Sequence, residues 1–79
     1  MHRFYFHLHE CGTRVIDEEG RELPSLEVAL KEAVIAARCI MGSDVVHGRL
    51  CLNCHIEIAD SYGITLAAVP FAEALEIQP

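Results

Sequence analysis

The chain has 79 residues, 52% of them hydrophobic and 23% charged, which bounds it to one small folded domain over residues 1–79 and excludes a disordered tail. Its formal net charge is −6, and its basic residues Arg3, Arg14, Arg21, Lys31, Arg38 and Arg49 are scattered singly. Phosphate recognition needs cations clustered on one face, so neither nucleic acid nor an anionic membrane is expected as a partner.

Residues 3–10, RFYFHLHE, alternate with a period of two. Phe4, Phe6 and Leu8 fall on one side and Arg3, Tyr5, His7 and His9 on the other, the pattern of a half-buried strand. Cys11-Gly12-Thr13 reads as a turn, and residues 14–16 as a short second strand pairing back on the first. Asp17-Glu18-Glu19-Gly20 is a further turn signal, with an Asp side chain able to cap its own turn and a Gly for the left-handed conformation. Ser25 is a good helix N-cap, and Glu27 in the first turn suits the helix dipole. Leu26, Leu30, Ala33, Ala37 and Ile40 follow at spacings of four and three and form one apolar stripe. Cys39 lies near that stripe and is expected to be a small core residue. Gly42 or Gly48 ends the helix, and Val45 and Val46 favour continuation to about His47.

Residues 51–59, CLNCHIEIA, alternate again, with Leu52, Cys54, Ile56 and Ile58 on one side and Cys51, Asn53, His55 and Glu57 on the other. Asp60-Ser61-Tyr62-Gly63 repeats the Asp-x-x-Gly turn, and residues 64–69 return as a strand. A four-residue loop with Gly last suits a hairpin with a bulge. Pro70 ends that strand. Residues 71–75 allow a single helical turn, and the chain leaves through Glu76 and Ile77.

The order ββαββ predicts an α+β fold: a four-stranded, mainly antiparallel sheet with one long helix packed on one face. A sheet order of 2-1-3-4 lets all neighbours run antiparallel, with the helix crossing over the first strand.

Cys51-Leu-Asn-Cys54-His55 has the spacing of a c-type haem attachment. On a pleated strand the side chains of residues 51 and 54 point to opposite faces, so the two thiols cannot grip one ligand. A redox dithiol wants its Cys at a helix N-terminus, which a mid-strand position does not provide. Zinc takes four imidazole or thiolate ligands in a tetrahedron. The outer sheet face carries His7, His9, Cys11, Cys51 and His55, and His7, His9, Cys51 and His55 are the candidate metal ligands if the first and third strands are neighbours. The bland reading is that these side chains sit on the solvated face, or in a subunit contact, of a half-exposed sheet. No cofactor is therefore expected first, with zinc as the alternative.

The acidic turn at residues 17–22 lacks EF-hand spacing. Ser25, Ser43 and Ser61 read as caps or turn residues rather than nucleophiles, so no catalytic or cofactor-binding residue is assigned and an enzyme is not expected. The opening MHRFYFHLHE is interrupted by histidines and makes no secretory apolar region of about 7–15 residues. No run reaches the roughly 18 apolar residues that span a bilayer. The expected compartment is the cytoplasm, with Cys11, Cys39, Cys51 and Cys54 as free thiols.

Five stretches carry a family resemblance: RFYFHL (3–8), DEEGRELP (17–24), LEVALKEAVIAAR (26–38), HIEIADSYG (55–63) and VPFAEALEI (69–77). The chain resembles a set of short alphaproteobacterial proteins, classed as a domain of unknown function, with the pattern RYFFHL, DEEGxELP, RIEVxDxxG and VPFAEAVEI. The resemblance implies a compact α+β module of bacterial origin with no assigned activity. It also implies that the paired cysteines and the histidine of CLNCH are peculiar to this chain, since an aromatic and an Arg commonly stand at Cys54 and His55 in the family pattern. The leading functional expectation is a non-enzymatic protein-binding or assembly module, self-associating as a homodimer or contacting another protein. Its motivation is the large apolar fraction of so short a chain. The alternative is a metal-binding or thiol-sensing protein using the His and Cys face of the sheet.

Overall fold

The computed structural model describes residues 1–76 and 78, so the expected exit at Ile77 lies outside the described residues. The elements run β1 (His2–Glu10), β2 (Thr13–Val15), β3 (Arg21–Leu23), α1 (Leu26–Val46), β4 (His55–Ala59), β5 (Thr65–Pro70) and a 3₁₀ turn over Phe71–Ala74. The fold is α+β, with one helix against an open antiparallel sheet. The path β2-β1-β4-β5 reproduces the expected strand order, and β3 also pairs with β1, making five strands rather than four.

The fifth strand is Arg21-Glu22-Leu23, three residues with no apolar alternation to betray it. Its place comes from the length of β1. The outer edge of β1 carries β2 opposite Leu8, His9 and Glu10, and β3 opposite His2, Arg3 and Phe4. Between the two, the Phe6 N–H faces no strand and donates instead to Asp17 Oδ2 at 3.1 Å. Oδ1 of the same carboxylate accepts from the Gly20 and Glu19 N–H groups at 3.1 and 3.3 Å. Burial works to raise the Asp17 pKa, but these three backbone donors outweigh it and hold the carboxyl below its ordinary value. Gly20 has φ +71°, and a Cβ there would sit 2.9 Å from Tyr5 Cε2 and 3.0 Å from the Phe4 carbonyl. This turn needs Gly for both backbone and space.

α1 starts at Ser25, whose hydroxyl accepts the Val28 N–H at 3.3 Å. Its buried row is Ala29, Ala33, Ala37 and Met41, repeating every four residues. Ala33 and Ala37 of the expected stripe stand in this row, while Leu26, Leu30 and Ile40 flank it half-buried, and the helix meets the sheet on alanines. Small side chains let the two backbones approach closely enough for Phe4, Ile56, Ile58, Val69 and Phe71 to fill the space between them. Cys39 is exposed, against the expectation of a core residue. Two residues past Ala37 is about 200° around the helix, which turns Cys39 away from the sheet.

The β4–β5 hairpin follows its turn chemistry. Asp60 Oδ1 accepts the N–H groups of Tyr62 and Ile64 at 2.8 and 2.9 Å, Gly63 has φ +80°, and the register shifts at Ile58 and Ala59 as a bulge. After Pro70 the 3₁₀ turn puts Phe71 and Ala74 into the core, and Arg38 Nε donates to the Ala74 carbonyl at 2.7 Å. Among the described residues no helix is long and apolar enough to cross a membrane.

Candidate thiol and metal site

The site lies where the helix hands the chain back to the sheet. α1 ends with His47 as C-cap and Gly48 beyond it at φ +81°. The Gly48 N–H bonds the Val45 carbonyl at 2.9 Å and the Arg49 N–H bonds the Asp44 carbonyl at 2.9 Å, the pair of reversed bonds that closes a Schellman motif. Residues 49–54 then cross to the start of β4.

Here the structure corrects the sequence reading. The strand begins at His55, and residues 51–54 are looped, with bends at Leu52 and Asn53. The reason lies in the neighbours. His55 pairs with His9 on one side and with Pro70 on the other. β1 turns away one residue past Glu10, and beyond Pro70 the other neighbour coils into the 3₁₀ turn after one last ladder bond, from the Phe71 N–H to the Cys54 carbonyl at 2.9 Å, so residues 51–53 have nothing to pleat against. The inference that residues 51 and 54 must face opposite ways therefore fails.

The antiparallel register of β1 on β4, with His9 opposite His55, carries the Cys11 turn beside this loop. Gly12, at φ +76°, makes that turn. The sulfur atoms of Cys11, Cys51 and Cys54 all lie within 4.8 Å of one another. Cys11 Sγ and Cys51 Sγ are 2.8 Å apart. Cys11 is exposed, Cys51 half-buried and Cys54 buried, so the cluster runs from solvent to core. It lines a cleft of about 380 Å³ together with Glu10, Asp44, Arg49 and Leu50.

The three thiols differ electrostatically. Cys51 is held below its ordinary pKa, first by the hydrogen bond from Cys11, then by the Asn53 backbone N–H and the Cys54 thiol. Cys11 is pushed up, first by its hydrogen bond to Cys51 and then by the negative charge there. Burial, followed by the hydrogen bond to Cys51, pushes Cys54 up to about 12. Of the three thiols Cys51 is therefore the most easily ionised, with Cys11 and Cys54 as its neighbours in the cluster.

The histidines go elsewhere. His7 Nδ1 accepts the Asp17 N–H at 3.1 Å and so braces the acidic turn. His9 and His55 stack on each other, with centroids 4.3 Å apart and planes 8° from parallel. His9 Nε2 also meets Glu57 Oε1 at 2.7 Å. Glu57, on the same outer face, takes Arg14 Nη2 at 3.1 Å and the Thr65 hydroxyl as well. The Thr65 and His9 hydrogen bonds, with the Arg14 charge, overcome burial and bring the Glu57 carboxyl down to about 2. Of the residues singled out from sequence, Cys51 thus stands in the thiol cluster, while His7, His9 and His55 serve the outer face of the sheet. Cys54, assigned to the interior by alternation, and Cys11 are the partners that Cys51 meets. A signal for them was the helical turn read at residues 71–75, which ends β5 and with it the ladder that residues 51–53 would need.

A family model described as a domain of unknown function, DUF6894, matches residues 3–72. No curated protein and no solved structure matches the chain. The match spans most of the chain, and the protein belongs to the DUF6894 family.

Proposed function

We propose that this member of the DUF6894 family is a small non-enzymatic metal-binding protein, whose Cys11, Cys51 and Cys54 thiolates hold a thiophilic cation, zinc in the first place. The observation that carries the reading is the convergence of three sulfurs from two distant segments within 4.8 Å. Zinc bonds thiolate at about 2.3 Å, so sulfurs around a tetrahedral ion stand about 3.8 Å apart. Small side-chain movements bring the cluster to that spacing. The fourth position opens on the cleft, where water or the carboxylates of Glu10 and Asp44 supply oxygen. Soft thiolate donors favour zinc or Cu(I) over calcium or magnesium. A reducing compartment such as the cytoplasm keeps the ligands available.

Metal analysis tests this. Protein purified without a histidine tag, equilibrated with zinc and stripped of excess, is expected to retain about one equivalent, and C51S or C54A to lose it. Retention below about a tenth of an equivalent by the unaltered protein overturns the proposal.

A second reading, self-association, rests on a separate feature. The outer side of α1 carries a shallow apolar groove of about 400 Å³ lined by Leu30, Lys31, Val34, Ile35 and Arg38. Ile35 is 54% exposed in a chain of only 79 residues. A second copy of the chain laid along this groove gives a homodimer through paired helices. Sedimentation at micromolar concentration decides it, since a clean species of 8.8 kDa removes the dimer.

A further inference from the structure

We propose that Cys51 is a peroxide-reactive nucleophile and Cys11 its resolving thiol, the two closing a reversible disulfide across the β1 turn and the residue 51–54 loop. The proposal stands on placement and does not require the metal reading. The Cys11 and Cys51 sulfurs are already 2.8 Å apart, so bond formation at about 2.05 Å asks for less than about 1 Å of sulfur movement. Both belong to segments outside the paired strands, a turn and a loop, which can absorb that movement. Cys11 is exposed and Cys51 half-buried at the cleft, so a small oxidant reaches the pair. Arg49 in the cleft lining offers a cation to an entering oxidant and a nascent anion, partly offset by Glu10 and Asp44. Cys54 lies behind them in the core, and Cys39 is exposed on α1.

The chemistry balances with hydrogen peroxide as oxidant. The Cys51 thiolate sulfur attacks one peroxide oxygen, the O–O bond breaks, and the departing hydroxide takes a proton to become water. Cys51 is left as a sulfenic acid. The Cys11 sulfur then attacks the Cys51 sulfur. The S–S bond forms, the S–O bond breaks, and the hydroxyl leaves as water with the Cys11 proton. Two thiols give up two electrons and the peroxide accepts them. A small thiol of the glutathione class reverses the process by exchange. The disulfide also withdraws two of the three sulfurs from the cluster. In that one respect the inference rests on the metal reading: oxidation is expected to release zinc.

The test uses metal-free full-length protein, treated with hydrogen peroxide and then capped with an alkylating agent. The expected product is lighter by about 2 Da before capping, with peptide mapping that joins Cys11 to Cys51. C54A, checked for folding by circular dichroism, is expected to form the same Cys11–Cys51 bond. C11S is expected to leave Cys51 as a sulfenic acid that dimedone labels, and C51S to lose the reaction. A bond between Cys51 and Cys54, or peroxide consumption unchanged in C51S, overturns the assignment. Zinc-loaded protein gives the separate arm. If the chain retains no zinc, the metal reading falls while the disulfide map still decides this proposal. If zinc binds and peroxide forms no Cys11–Cys51 bond, this proposal falls alone.

Discussion

Replacing Glu57 by Gln tests the outer face of the sheet, which ties β1, β2, β4 and β5 together beside the thiol cluster. Glu57 receives His9, Arg14 and Thr65, and its side chain is 14% exposed. Its carboxyl falls from an ordinary 4.5 to about 2, first through the Thr65 hydroxyl and then His9. A folded pKa below the unfolded one means that the ionised form stabilises the fold. That stability is complete above the unfolded value and is lost as pH falls from about 4.5 through about 2. A drop of about 2.5 pH units, at about 1.36 kcal/mol each, sets a ceiling near 3 kcal/mol. Arg14 is half-exposed, so solvent screening brings the expected contribution to about 1–2 kcal/mol. Urea unfolding of E57Q at about pH 7 is expected to show that loss, and the gap from the unaltered protein should close as pH approaches about 2. An E57Q protein as stable as the original at neutral pH, or a gap that widens on acidification, refutes the reasoning.

The Gly20→Ala substitution forces a Cβ to 2.9 Å from Tyr5 Cε2 at φ +71°, and should cost more than about 1 kcal/mol in the same urea assay. Ala33→Leu overfills the contact between α1 and the sheet, where Ala33 is fully buried, and should cost about 1–3 kcal/mol with a matching fall in Tm. Zinc must displace the protons of Cys11 and Cys54, the latter held to about 12. Affinity, measured by competition with a chelating dye, should therefore fall at least about tenfold per pH unit from about pH 8 to about pH 6.

Much of the fold was legible because its signals are local. The alternation of residues 3–10, the cap at Ser25 and the two Asp-x-x-Gly turns each carry their own geometry, and all appear in place. β3 was not legible, because three residues owe their strand form to the free edge of β1 rather than to their own pattern. The helix face was legible at Ala33 and Ala37 but not at Ala29 and Met41, since Leu26, Leu30 and Ile40 mark apolar periodicity more loudly than the residues on which the close contact is made. The site was half legible. Cys51 stood out by its motif, but the alternation of residues 51–59 extended a strand past the point where its partners stop. The pairing of His55 with His9 and Pro70, closed by the last ladder bond from the Phe71 N–H to the Cys54 carbonyl, leaves residues 51–53 to loop and brings Cys51 and Cys54 together beside Cys11.

X-ray absorption at the zinc edge of the loaded, tag-free protein examines the convergence of the three thiols most directly. Three sulfur scatterers at about 2.3 Å with one lighter atom are expected. A shell of nitrogen and oxygen alone, as His7, His9 and His55 would provide, would contradict it.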